Sequence, residues 1–107
     1  MPTYNKLVRD RIPEIIEKTN KKADTRILSS EEYITELRNK SFEELREYME
    51  TDNNQDAIEE LADLLETIHA LAKCHDMDFS EVERVRKAKA EKRGGFEERI
   101  FLIDVED

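Results

Sequence analysis

Hydrophobic positions recur at helical spacing along most of this chain. Ile34, Leu37, Ser41, Leu45 and Tyr48 follow one another at intervals of three and four residues, one stripe of a helix. Ile58, Leu61, Leu65, Ile68 and Ala72 make a second stripe, with Leu64 and Leu71 well away from it. Ser29 and Glu32 form a capping box that predicts a long helix reaching about Thr51. Asp52-Asn53-Asn54 is a turn, and a second long helix runs from there to about His75, where His75-Asp76-Met77-Asp78 breaks it. Pro13 suits the first turn of an earlier helix reaching about Lys21, with Ile12, Ile15 and Ile16 inward. Ser80 with Glu83 caps a last helix that runs to about Arg93 and stops at Gly94-Gly95. Residues 25–28 and 99–103 read as short strands able to pair. The expectation is an all-α bundle of about four helices, with a short two-stranded β pairing of 25–28 and 99–103.

A chain of 107 residues makes one domain, residues 1–107, with a modest core. Charged residues make up 42% and there are only 2 Gly and 2 Pro, which favours long helices over a β fold. Apolar residues on the second long helix span an arc too wide for one layer of neighbours to cover. A homo-oligomer, dimer or tetramer, is therefore expected. The net charge of −9 argues against a nucleic-acid polymer as partner, though a metal ion lets an acidic site take a nucleotide. One cysteine, Cys74, excludes an internal disulfide and fits a reducing cytoplasm. Neither a signal-peptide core at Met1-Pro2-Thr3-Tyr4 nor a membrane-spanning apolar run is visible, so no membrane is expected as partner.

Two acid pairs change the picture. Glu44 with Glu47, and Glu60 with Asp63, are each spaced to share one helix face. With 27 Asp and Glu in the chain such pairs arise by chance, mostly on solvated faces, so their position on the helix decides. Glu44 lies beside the apolar stripe, Glu47 at its edge, and Glu60 in line with Leu64 and Leu71. A charge bordering buried surface is costly unless paired. Packed antiparallel, the two helices would aim four carboxylates at one spot, where they repel unless a hard divalent cation sits among them. Oxygen-only ligands select magnesium, manganese or calcium over zinc. Without metal, at least one of the four should have a raised pKa. Bland alternatives are salt bridges and a solvated rim.

Glu43-Glu44-Leu45-Arg46-Glu47, then Glu60-Leu61-Ala62-Asp63 thirteen residues on, resembles the EExxE…ExxD signature of the all-α NTP pyrophosphohydrolases. These are the MazG-like and phosphoribosyl-ATP pyrophosphohydrolase proteins. Asn5-Lys6-Leu7-Val8-Arg9-Asp10-Arg11-Ile12-Pro13 and Lys89-Ala90-Glu91-Lys92-Arg93-Gly94-Gly95-Phe96 resemble a small phosphoribosyl-ATP pyrophosphohydrolase-like branch. The resemblance implies that Glu44, Glu47, Glu60 and Asp63 hold Mg2+, with Mn2+ as a substitute. It implies that Glu43 is an outer acid or water-positioning base, making five catalytic acids. The implied activity cleaves the α–β phosphoanhydride of a (d)NTP, giving monophosphate and pyrophosphate. Phosphoribosyl-ATP of histidine synthesis is the alternative substrate.

Candidate nucleotide contacts are Lys89, Lys92 and Arg93 before the glycine pair, and Lys6 and Arg9 near the start. The first three equally suit a helix C-terminus, and Arg9-Asp10-Arg11 equally suits an ion-pair network. Asn5 is a candidate for the base or ribose. His69 reads as a core or interface histidine and Cys74 as inert; Tyr4, Phe42 and Phe96 read as packing, with stacking on a nucleobase as the alternative. The rival to an enzyme is a non-catalytic, metal-stabilised helical module that binds nucleotides or a partner. A purely structural acidic bundle, indifferent to magnesium, is the third reading.

Overall fold

A computed structural model describes residues 2–107. Four helices account for all regular structure among them: α1 (Ile12–Glu17), α2 (Ser30–Met49), α3 (Asn54–Cys74) and α4 (Phe79–Arg93).

Side-chain chemistry at the ends sets each length. The Ser29 hydroxyl accepts from the Glu32 N–H, and the Glu32 carboxylate accepts from the Ser29 N–H, so α2 starts on the expected capping box. Arg26 clasps the same carboxylate at 2.9 Å; its hydrogen bond, with those from Ser29, holds Glu32 down at about 2. The Asn53 side chain accepts from the Asp56 N–H at 2.9 Å and opens α3. The left-handed Asp76, at φ 60°, follows its end. Gly94, at φ 83°, ends α4 in a conformation that side-chain-bearing residues avoid.

Two boundaries and one inward residue differ from expectation. α1 ends at Glu17, not Lys21, because the Thr19 hydroxyl takes the Ile16 carbonyl at 2.6 Å and Asn20 turns left-handed at φ 63°. Ile15 of this short helix is half exposed rather than inward, as α1 packs against no other helix. α4 is capped by Asp78, whose carboxylate accepts from the Ser80 N–H at 2.9 Å and from the Ser80 hydroxyl. Ser80 thus lies inside the helix, and Phe79 heads it, stacked on His69 with ring centroids 4.0 Å apart.

No strand forms among the described residues, so the 25–28 with 99–103 pairing is absent. A lone two-stranded ribbon is marginal without a face to cover it. Both segments are solvated, and Arg99 breaks the second with φ 57°.

α2 and α3 form an antiparallel hairpin, and α4 folds back on the end of α3. Ser41 meets Thr67 and Glu44 meets Glu60, so the partner's number falls along α3 as it rises along α2. The inner face of α3 carries Glu60, Leu64, Thr67 and Leu71, while Ile58, Leu61 and Leu65 of the expected stripe are exposed. Only Ala72, at the far end of that stripe, is buried, in a groove shared with Val82 and Val85 of α4. On α2, Leu37 is buried but Phe42, Leu45 and Met49 are exposed.

The outcome is an extended molecule. Its radius of gyration is 18.4 Å, against about 13 Å for a compact domain of this length. Leu37 and Ala72 are the only buried apolar residues among those described. No helix is long and apolar enough to cross a membrane.

Candidate metal centre

The antiparallel pairing brings Glu44, Glu47 and Glu60 together near the closed end of the hairpin. Each offers a carboxylate oxygen, and the three lie within 4.8 Å of one another. Glu44 is 6% exposed. Its Oε1 lies 3.5 Å from the Lys40 ammonium, but its Oε2 is buried with no hydrogen-bond partner. Oε2 of Glu60 is likewise buried and unpartnered.

Two orphaned carboxylate oxygens cannot both stay charged at no cost. Burial raises the pKa of Glu44, the Glu47 charge raises it further, and Lys40 opposes both. Burial, the adjoining Glu47 carboxylate and then the charges of Asp63 and Glu44 push Glu60 up to about 7. When all three are ionised there is no donor among them, and the Oε2 atoms stand bare; a proton shared with Glu47 relieves the strain. A divalent cation would relieve it more fully. Oxygens on opposite sides of octahedral magnesium lie about 4.2 Å apart, and those around calcium about 5 Å. Three carboxylate oxygens within 4.8 Å of one another are close enough for one cation to hold, and an all-oxygen donor set suits a hard one.

Other expected site residues fall elsewhere. Asp63 stands outside the trio, and its Oδ1 takes a hydrogen bond of 2.6 Å from Arg9. Glu43 is half-buried on the rim, 4.0 Å from Lys40. Asn5, Lys6, Lys89, Lys92 and Arg93 are exposed and make no ion pair with these acids; Lys6 lies 5.8 Å from the Tyr4 ring centre. Lys40 escaped the sequence reading. Its spacing of three and four from Glu43 and Glu44 on one helix was the available signal. The Ser41–Thr67 contact at 3.1 Å, a polar bridge across the hairpin beside the acids, also escaped it.

No family model, curated protein or solved structure matches this chain. What the site does is therefore argued from its own residues.

Proposed function

We propose that the protein is a magnesium-dependent nucleotide pyrophosphohydrolase of the all-α NTP pyrophosphohydrolase type, acting in the cytoplasm. It would cleave the α–β phosphoanhydride of a (d)NTP. The observation that supports this most is the pair of buried, unpartnered oxygens, Oε2 of Glu44 and Oε2 of Glu60, beside Glu47. Neither a salt bridge nor a solvated rim accounts for them.

Glu44, Glu47 and Glu60 would hold Mg2+ or Mn2+, with Asp63 as a fourth ligand. The cation supplies charge neutralisation for the phosphates and a lowered pKa for bound water. The chain's own residues do the rest. The trio fixes where the phosphates sit, and α2 and α3 give it a rigid frame. Glu43, outside the trio, would take a proton from the attacking water. Water oxygen bonds to phosphorus, the bridging P–O bond breaks, and monophosphate and pyrophosphate leave. Phosphoryl transfer needs positioning and charge more than covalent help, which suits a site with no nucleophilic Ser, Cys or His. Asn5, Lys6, Arg9, Lys89, Lys92 and Arg93 are the proposed nucleotide contacts.

The working form is a homo-oligomer, its interface on the exposed apolar flank of the hairpin. Phe42, Leu45 and Met49 of α2 join Ile58, Leu61 and Leu65 of α3 there. Together they offer on the order of 500 Å² of apolar surface per copy, against roughly 800 Å² per partner in a standard interface. A second copy suits this flank because the chain alone buries so little: its core needs a cover that is always present.

The test is hydrolysis of a nucleotide panel, phosphoribosyl-ATP included, with and without Mg2+, resolving pyrophosphate from phosphate. Magnesium-dependent pyrophosphate release that Glu44→Gln abolishes is expected. A magnesium-dependent rise in Tm with no turnover on any substrate would replace the enzyme with a binding module.

A further inference from the structure

The expected fourth ligand lies near the cluster but outside it. Asp63 follows Glu60 by three residues, as Glu47 follows Glu44, yet only Glu47 joins the trio. Two things differ: Asp63 is one methylene shorter than Glu47, and Arg9 Nη2 donates to Asp63 Oδ1 at 2.6 Å. Arg9 belongs to residues 2–11, which have no regular structure beyond a turn in which the Ile12 N–H reaches the Arg9 carbonyl at 3.1 Å. Leu7 and Val8 are half-buried, so this segment has some apolar cover. Among the described residues, the Arg9–Asp63 pair is the only side-chain hydrogen bond or salt bridge that ties it to the hairpin. The pair is open to water, 55% and 40% exposed, so breaking it costs little.

We infer that Arg9 is a movable counter-ion that holds Asp63 out of the carboxylate cluster until a divalent cation draws it in. This rests on the metal-binding reading above. Asp63 then has two places to put its charge: on the guanidinium at the rim, or on a cation shared with Glu44, Glu47 and Glu60. In the first, residues 2–11 are tethered to α3. In the second, the tether is cut, and an arginine is set free at the edge of a site that has just become attractive to phosphate. Arg9 is thus a positioning residue for the site, and it becomes a phosphate contact only after the exchange. Its planar fork suits either partner, carboxylate or phosphate.

Removing Arg9 also removes a positive charge near a cation site, which by itself would tighten cation binding. A double-mutant cycle separates the two effects. Mn2+ binding to the full chain, without nucleotide, is measured by calorimetry for wild type, Arg9→Ala, Asp63→Asn and the double variant. Withholding predicts that Arg9→Ala tightens Mn2+ binding about two- to fivefold, the range that exposed ion pairs span. In the Asp63→Asn background the gain should shrink to what the lost charge alone supplies. A gain of equal size in both backgrounds, or no gain, overturns the inference and leaves the metal site standing. Failure of wild type to bind Mn2+ overturns both. Trypsin gives a second reading: Mn2+ should speed cleavage after Arg9 and Arg11 in wild type. Unchanged or slower cleavage counts against release of the segment.

Discussion

The two flanks of the α2–α3 hairpin are built from the same residue offsets and have opposite characters. Counting from Glu44, the positions two before, one after and five after are Phe42, Leu45 and Met49; counting from Glu60 they are Ile58, Leu61 and Leu65. All six are exposed. They lie about 100–160° round their helices from the inner face, in the same sense. In an antiparallel pair that places both sets on one side. The positions three after, Glu47 and Asp63, lie about 60° round in the other sense and form the acid flank. One flank carries apolar surface that water should not touch, and the other carries charge that protein should not bury. Both are at odds with an isolated, metal-free chain. The two proposed additions, a cation on one side and a second copy on the other, would each answer one of these mismatches.

Substitutions can sort the flanks. The largest effect is expected from Glu60→Gln, with a loss of magnesium-dependent turnover of about a hundredfold or more. At pH 8 without metal the same variant should melt higher than wild type, since one of several facing charges is gone. A lower Tm there would mean that Glu60 is structurally satisfied in a way the orphaned oxygen does not suggest. Next comes Leu61→Lys on the opposite flank. At a solvated position it would change stability by less than about 0.5 kcal/mol. At an interface it should split the oligomer in sedimentation runs and lower Tm by about 4–8 °C per kcal/mol lost. No shift in mass would leave the apolar flank without its second copy.

A smaller effect concerns pH. Folded, Glu60 keeps its proton up to about 7, against 4.5 as its ordinary value. Between those values the folded state binds more protons than the unfolded state, so stability should fall as pH rises through that window. Saturating Mg2+ binds the ionised form and should flatten the fall. Denaturant midpoints at pH 5 and pH 8, with and without Mg2+, measure this; equal midpoints without metal would contradict the strain assigned to the acid flank. The smallest effect is expected at the seam between the flanks. Ser41→Ala removes the contact to Thr67 at 3.1 Å and should cost about 0.5–1.5 kcal/mol by chemical denaturation. It should leave both turnover and oligomer mass nearly unchanged.

Much of this was legible from the chain. Ser29 with Glu32, the Asn53 turn and Gly94 punctuate the helices locally, so helix number and near-boundaries followed. The helical offsets pointed to four acids meeting; Glu44, Glu47 and Glu60 come together, and Asp63 stays outside. The inward face of α3 was harder. Its apolar residues cover a wide arc, and Ile58, Leu61 and Leu65 look more like core than the inner set, which includes Glu60 and Thr67. Periodicity gives the width of an arc, not which part of it meets a partner. Asp78 displaced Ser80 as the cap of α4, and the Phe79 ring at the head of that helix stacks on His69, ten residues earlier. The Arg9–Asp63 pair spans 54 positions, beyond the reach of any local rule.

The repeated offsets also amount to an approximate two-fold axis running through the contact between Glu44 and Glu60. Each helix presents the other with a rotated copy of itself, sixteen residues on. Antiparallel helix dipoles largely cancel about such an axis, so the field at its centre comes from side chains alone. A cation placed there would be held by Glu44 and Glu47 of α2 and Glu60 of α3, and would act as a rivet between the two rods. Drawing it out would loosen α2 and α3 together, not one before the other.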